Sequence, residues 1–158
     1  MHMNGTLEHM SIEEIEEFLR ALEGVLALKP VPGDGSPEIS WGDAFFYYAP
    51  GGVVPKTQPF ATVVTKDYPG YETSRLNRPG AFRLNIAAGK DAFVRWTGHE
   101  PREPDAADSL MAHPVYGGLG WLAVVNPGAR TETAVRELLR TAHDLTRTRQ
   151  RRRASGSR

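Results

Sequence analysis

The chain has 158 residues, with 19 basic and 19 acidic side chains that cancel, and 40% of its residues are hydrophobic. That suits one domain with a sizeable core and excludes wholesale disorder; no apolar run reaches the ~20 residues of a membrane helix, and no basic stretch leads into an apolar leader. The absence of cysteine excludes disulfides, thiolate nucleophiles and Cys-ligated zinc or iron–sulfur centres, and fits a cytoplasmic setting.

Met1–His9 has no periodicity and reads as a disordered extension. The domain begins at Met10-Ser11, where Ser11 and Glu14 form an S-x-x-E capping box. Ile12, Ile15, Phe18, Leu19 and Leu22 follow at helical spacing, and Gly24 stands at a left-handed C-cap position, which predicts a helix over 12–23. Val25–Leu28 is long enough for one strand. The prolines and glycines of 30–37 then impose a loop.

Ile39–Trp41 and Ala44–Tyr48 read as a strand pair, or as one strand bent at Gly42-Asp43. Phe45-Phe46-Tyr47-Tyr48 is aromatic on both faces, so this strand is covered on both sides or lies beside a pocket. Pro50-Gly51-Gly52 marks a turn, and the β-branched run Phe60–Thr65 a strand. Residues 66–81 form a long polar loop of the kind that often carries function.

Phe82–Ala87 alternates, with Phe82, Leu84 and Ile86 on one face and Arg83 and Asn85 on the other. Lys90–Thr97 reads as a short helix with Phe93 and Trp96 on one side, and His99–Asp108 as an acidic, proline-broken loop. Leu119–Asn126 is the final strand. Thr131 caps a helix with Val135, Leu138, Leu139, Ala142 and Leu145 in one stripe. These connections are too short for repeated βαβ crossovers. The order therefore predicts an α+β fold: a two-layer sandwich of an antiparallel sheet with the N- and C-terminal helices on one face, spanning 10–146.

Residues 147–158 hold six arginines and no acid, which leaves 13 basic against 19 acidic residues in Met1–Thr146, or about −6. With no apolar side chain larger than alanine, this stretch is expected to be a basic, mostly disordered tail from about Gln150. Arg147, Arg149, Arg151, Arg152 and Arg153 are candidate contacts for nucleic-acid phosphates; a solubilising role, or folding back on the acidic body, are the alternatives.

The segments MSIEEIEEFLRALEGV, PGDGSPEISWGDAFFYYAP, TQPFATVVTKDYPG, SRLNRPGAFRLNI and MAHPVYGGLGWLAVVNPG resemble domain-of-unknown-function family 6194, an uncharacterised bacterial group, over Met10 to Thr146. That resemblance implies domain limits and no activity. The order of elements, with His113 and Trp121 near the last strand, also resembles the MmcQ/YjbR-like family, which implies a frataxin-like sandwich and a DNA-binding label. The chain departs from that pattern in its longer Pro/Gly-rich loops and in HPVYGGLGW, where that family usually carries lysine and arginine.

His113, beside Tyr116 and Trp121, has two readings: a proton acceptor or ligand-binding group, or a structural imidazole satisfying a backbone carbonyl at a turn. Gly117-Gly118-x-Gly120 precedes a strand instead of opening a helix and lacks a following Lys-Ser/Thr, so it is no phosphate loop and points to a bulge or a close backbone approach. Arg83 and Asn85 either recognise a carboxylate or phosphate in a groove or sit on a solvated face. Lys66, Asp67 and Tyr68 form a polar rim or simply end a strand in water. His99, Asp105, Asp108 and His113 match no metal-ligand spacing, so neither metal nor cofactor is expected. His143 is read as a cation near a helix C-terminus.

Three functions remain. One is a non-catalytic binding module for a small molecule or peptide, with an aromatic-lined pocket of Trp41, Tyr47, Arg83, Asn85, His113, Tyr116 and Trp121. The second is a DNA-associated protein acting through the tail arginines. The third is an enzyme with His113 as general acid or base. The first is preferred, because aromatics are plentiful and no complete catalytic constellation is visible.

Overall fold

The computed structural model describes residues 9–99 and 101–156. Of the expected extension only His9 falls within them; it bridges Gly128, and the Met10 N–H donates to the Pro127 carbonyl at 2.7 Å. Met10 is buried at this junction, so the chain is tied into the core from its tenth residue.

Helix α1, Ile12–Arg20, starts on the expected capping box: Ser11 Oγ accepts from the Glu14 N–H and Glu14 accepts from the Ser11 N–H. It ends before residue 23, in a turn that closes at Gly24. There φ is +72°, and a Cβ would stand 2.6 Å from the Tyr48 ring, so the position needs glycine for conformation and for space. Strand β1 is Val25–Leu28. The expected strand at 39–41 is a single 3-10 turn, Glu38–Ser40, because Pro37 stands just before it and the N–H groups of Ser40 and Trp41 bond backward to Pro37 and Glu38 instead of to a neighbouring strand.

The remaining strands are β2 (Ala44–Tyr48), β3 (Ala61–Val64), β4 (Arg83–Ile86), β5 (Met111–Ala112) and β6 (Leu122–Val125). They form one antiparallel sheet in the order β1-β2-β3-β4-β6-β5. Helix α2 is Lys90–Thr97, as expected, and α3 is Glu132–Gly156. The fold is therefore α+β, a two-layer sandwich with the N- and C-terminal helices on the antiparallel sheet. Strand β5 is too short to leave a periodic signal.

Alternation along each strand divides the sheet into two faces. Ala44, Phe46, Ala61, Val63, Leu84, Ile86, Leu122 and Val124 are buried in one core with Ile15 and Leu19 of α1 and Val135, Leu138, Leu139 and Ala142 of α3. Each large side chain withdrawn there contributes about 1.5–3 kcal/mol. Phe45, Tyr47, Thr62, Val64, Arg83 and Asn85 point to the other face.

Asp108, at φ +54°, caps α3 from outside the helix. Its carboxylate accepts from the backbone N–H groups of Gly128 (2.7 Å), Arg130 (2.9 Å) and Thr131 (3.1 Å) and from the Thr131 hydroxyl (2.5 Å). Thr131 stands at the start of the helix as expected, yet its hydroxyl is turned onto this carboxylate. Desolvation works to raise the Asp108 carboxyl, but the bonds from the Thr131 side chain and the three backbone N–H groups outweigh it and hold it below the ordinary value. Asp108→Ala is expected to cost about 1–2 kcal/mol in urea unfolding, with Asp108→Asn losing clearly less because one acceptor oxygen survives.

The arginine-rich stretch corrects a second expectation. Disorder was expected from about Gln150, and the helix continues through Gly156. Arginine, glutamine and alanine are good helix formers, and this end extends a helix already nucleated on the core. Gln150 Nε2 donates to the Tyr48 carbonyl at 2.7 Å, and Arg147 and Arg151 reach Glu23 at 3.6 and 3.7 Å. His143 consequently stands mid-helix, not near a C-terminus. It is buried, its Nε2–H donates to the Glu23 carbonyl at 2.7 Å, and its ring meets Tyr48 and Phe60 edge-on.

Candidate functional site

The sheet face turned away from α1 and α3 forms the floor of a cavity of about 610 Å³. Strands β2, β3 and β4 supply Phe45 and Tyr47, Thr62 and Val64, and Arg83 and Asn85. The 66–81 loop folds over one side with Lys66, Tyr68 and Tyr71. The connection from β5 to β6 closes another with His113, Tyr116, Leu119 and Trp121. Six of the seven side chains singled out as ligand-binding thus line one cavity. Trp41 does not: it ends the 3-10 turn and contributes only its carbonyl, which accepts from Lys66 Nζ at 2.7 Å. With no strand at 39–41, its indole has no place on the sheet.

Arg83 is half-buried on the floor and braced by neutral groups. Its Nε–H donates to Asn85 Oδ1 at 2.8 Å and Nη1 to Ser74 Oγ at 2.9 Å. Asn85, 3% exposed, passes the constraint on by donating to Thr62 Oγ1 at 3.0 Å. Among the described residues Arg83 has no ion-pair partner. Burial lowers its pKa, with Asp67 and Asp43 pulling the other way; a guanidinium stays charged regardless.

His113 is buried, and both ring nitrogens are engaged. Nδ1 accepts from the backbone N–H groups of Val115 and Tyr116, each at 3.0 Å, and Nε2 lies 3.3 Å from Arg83 Nη2. Two donors on Nδ1 fix the tautomer: that nitrogen carries the lone pair and Nε2 carries the proton. Burial first, then the Arg83 charge, push the imidazole down to about 3. Neither sequence reading describes this group fully. The ring organises a turn by accepting from N–H groups, not by donating to a carbonyl, and its Nε2–H lies against Arg83 Nη2 at the cavity lining. With its lone pair shared and its pKa far below neutrality, it is poorly placed to take up a proton.

Asp43 supports the loop wall. Fully buried, it accepts through Oδ1 from the Thr65 N–H (2.8 Å), the Thr65 hydroxyl (2.9 Å) and Lys66 Nζ (3.0 Å), and through Oδ2 from the Tyr68 hydroxyl (2.5 Å). Burial, then the bond and charge of Asp43, push the Tyr68 phenol well above its ordinary value. Asp67 steadies the loop further on, accepting from the N–H groups of Leu76 and Asn77 while its own N–H donates to Asn77 Oδ1. Lys66 and Tyr68 therefore line the cavity, and Asp67 acts inside the loop. Sequence reasoning missed Asp43, Ser74 and Tyr71; Asp43 was visible only as half of a Gly-Asp bend.

The three glycines before β6 shape the turn at the cavity mouth. In place of a bulge there is a 3-10 turn, Gly117–Leu119, ending at Gly120 with φ +89°, and the other expectation, a close approach, is met at Gly117, where a Cβ would stand 3.1 Å from Ala112 Cβ and 3.8 Å from its backbone. Among the described residues no three His, Asp or Glu side chains gather as a metal site. Asp108 caps α3, Asp105 pairs with Arg75 at 3.3 Å, His99 meets Arg102 at 3.2 Å, and His113 lines the cavity. Arg149 and Arg153 line a second concavity of about 710 Å³ with Lys90; it shares Leu119 and Trp121 with the first. No helix of the described residues is long and apolar enough to cross a membrane.

A family model matches residues 10–155, nearly the whole chain and well into the arginine-rich stretch. The chain belongs to that family, DUF6194, a family of unknown function. No curated protein and no solved structure matches it. Membership places the cavity, α3 and the ordered arginines inside the family's own domain.

Proposed function

We propose that this DUF6194 member is a cytoplasmic, non-catalytic module that binds a small organic molecule in the cavity on the helix-free face of its sheet. One observation carries the reading: a half-buried guanidinium without an ion-pair partner among the described residues lies on the floor of a cavity lined by Phe45, Tyr47, Tyr68, Tyr116 and Trp121. Concave, mostly apolar sites with a few convergent polar groups are the usual form of small-molecule sites. His113 as general base draws no support from its geometry, for the reasons of tautomer and lone pair given above. The DNA-associated reading, with its MmcQ/YjbR-like resemblance, has fewer free cations than the sequence suggested, because Arg147 and Arg151 face Glu23.

A thermal-shift screen with small aromatic and alicyclic compounds tests the proposal. Binding to the native state raises stability by mass action, about 2.7 kcal/mol at a hundred times Kd. Hits are expected to lose about tenfold or more in affinity in Trp121→Ala and in Tyr47→Ala. Hits that bind both variants as tightly as the parent chain would refute the placement.

A further inference from the structure

The contact between Arg83 and His113 has no acceptor in it. A guanidinium only donates. His113 carries its proton on Nε2, because Nδ1 already accepts two backbone N–H groups. Two N–H groups therefore face one another with their nitrogens 3.3 Å apart at the cavity floor. Such a pair is unfavourable by itself and becomes favourable when one anionic oxygen accepts from both.

The surrounding charges define how much negative charge fits. Among the described residues Arg83 and Lys66 are the only cations on the cavity lining, and no carboxylate is among the lining residues. Lys66 is compensated by buried Asp43 at 3.0 Å, whereas the partners of Arg83, Asn85 and Ser74, are neutral. Arg83 is thus left without an ion pair among the described residues, with Asp67 and Asp43 acting on it only from beyond contact distance. A monoanion balances it, and a phosphate dianion would bring an excess negative charge into a half-buried site.

We infer that the ligand is a monocarboxylic acid with a flat apolar body, its carboxylate bridging Arg83 Nη2 and His113 Nε2–H and its body lying against Tyr47, Tyr116 and Trp121. This rests on the cavity being a binding site, and it names the ligand class. The walls suit the body because aromatic faces bury large flat areas at little entropic cost. Ser74 and Asn85 position the guanidinium, and the turn N–H groups of Val115 and Tyr116 position the imidazole, so both donors are set before the ligand arrives.

Calorimetric titration of the full chain with benzoate, naphthoate and indoleacetate, each beside its neutral amide, tests the inference. At least one acid is expected to bind about tenfold or more tighter than its amide, and to move the His113 Nε2 resonance in nitrogen NMR without moving its tautomer. Arg83→Gln should erase the acid preference. Arg83→Lys, which keeps the charge but not the fork, should retain part of it and guards against a folding defect in the first variant. Amides that bind as tightly as the acids overturn the carboxylate while leaving a binding cavity. An acid preference that persists undiminished in both Arg83 variants overturns the placement. If neither acids nor amides bind, this inference fails, while a hit of another chemistry in the thermal-shift screen keeps the binding module.

Discussion

Replacing Asp43 by alanine is expected to destabilise the domain by about 3–5 kcal/mol. The carboxylate is fully buried and accepts four hydrogen bonds, from the Thr65 N–H and hydroxyl, Lys66 Nζ and the Tyr68 hydroxyl. Removing it leaves these donors around an empty space, and a buried donor without a partner costs far more than the net worth of the bond it made. Lys66 is part-exposed and recovers some hydration, so the lower end of the range is set by the Thr65 N–H and the Tyr68 hydroxyl. For a domain of this size the loss corresponds to a fall in Tm on the order of 10 °C. Asp43→Asn keeps an acceptor oxygen and should fall roughly midway. It should also move the ionisation of Tyr68 to lower pH in an ultraviolet titration, since the Asp43 charge is one of the forces holding that phenol protonated. A Tm for Asp43→Ala within about 2 °C of the parent would show that Asp43 does not organise this wall.

The second large effect is a loss of stability in mild acid that traces to His113. Its folded pKa is about 3 against an ordinary 6.5, lowered by burial and then by Arg83. Between those values the unfolded chain holds a proton that the folded chain refuses. Stability therefore rises with pH across that window, levels off above about 6.5, and is lost as pH falls toward 3. The full shift is worth about 3–5 kcal/mol, with a slope that approaches ~1.4 kcal/mol per pH unit below about pH 6. Urea unfolding of the parent chain and of His113→Gln between about pH 7 and pH 4.5 measures it. The glutamine variant should lose this slope whatever its stability at neutral pH. Asp108 also loses its native advantage in acid, but only below the ordinary carboxylate range, so it adds little in this window. Equal slopes in the two proteins would mean that His113 is not the group that refuses the proton.

The parts of the fold that were legible in the sequence are those whose signal is local. The capping box of α1, the strand at 25–28, the alternation of Phe82–Ile86 and the helix at 90–97 each follow from neighbouring residues obeying a period of 3.6 or 2. Structure departs from local pattern where tertiary contacts compete with it. Residues 39–41 look apolar enough for a strand, but the N–H groups of Ser40 and Trp41 bond back within a 3-10 turn instead of to a neighbouring strand. The arginines after Thr146 look disordered, but a helix anchored at Gln150 and Glu23 carries them to Gly156.

For the candidate site, the residue types were visible and the chemistry was not. Arg83 and Asn85 were placed on one strand face by alternation, and His113, Tyr116 and Trp121 by their concentration in one stretch. What each group does depends on partners far along the chain: Asp43 and Tyr68 are 25 residues apart, Arg83 and His113 are 30, and Tyr48 and Gln150 are 102. The sequence by itself determined which faces of the strands and helices are apolar, and with them the two-layer α+β sandwich, because backbone periodicity converts spacing directly into direction. Only the tertiary structure decided that His113 is a neutral donor, that Arg83 has no ion-pair partner among the described residues, that Asp43 anchors the loop wall and that Arg147 and Arg151 of the arginine cluster are turned onto Glu23. Hydrogen bonds and charge pairing act over a few ångströms in space, and no spacing rule in one dimension encodes which distant groups meet.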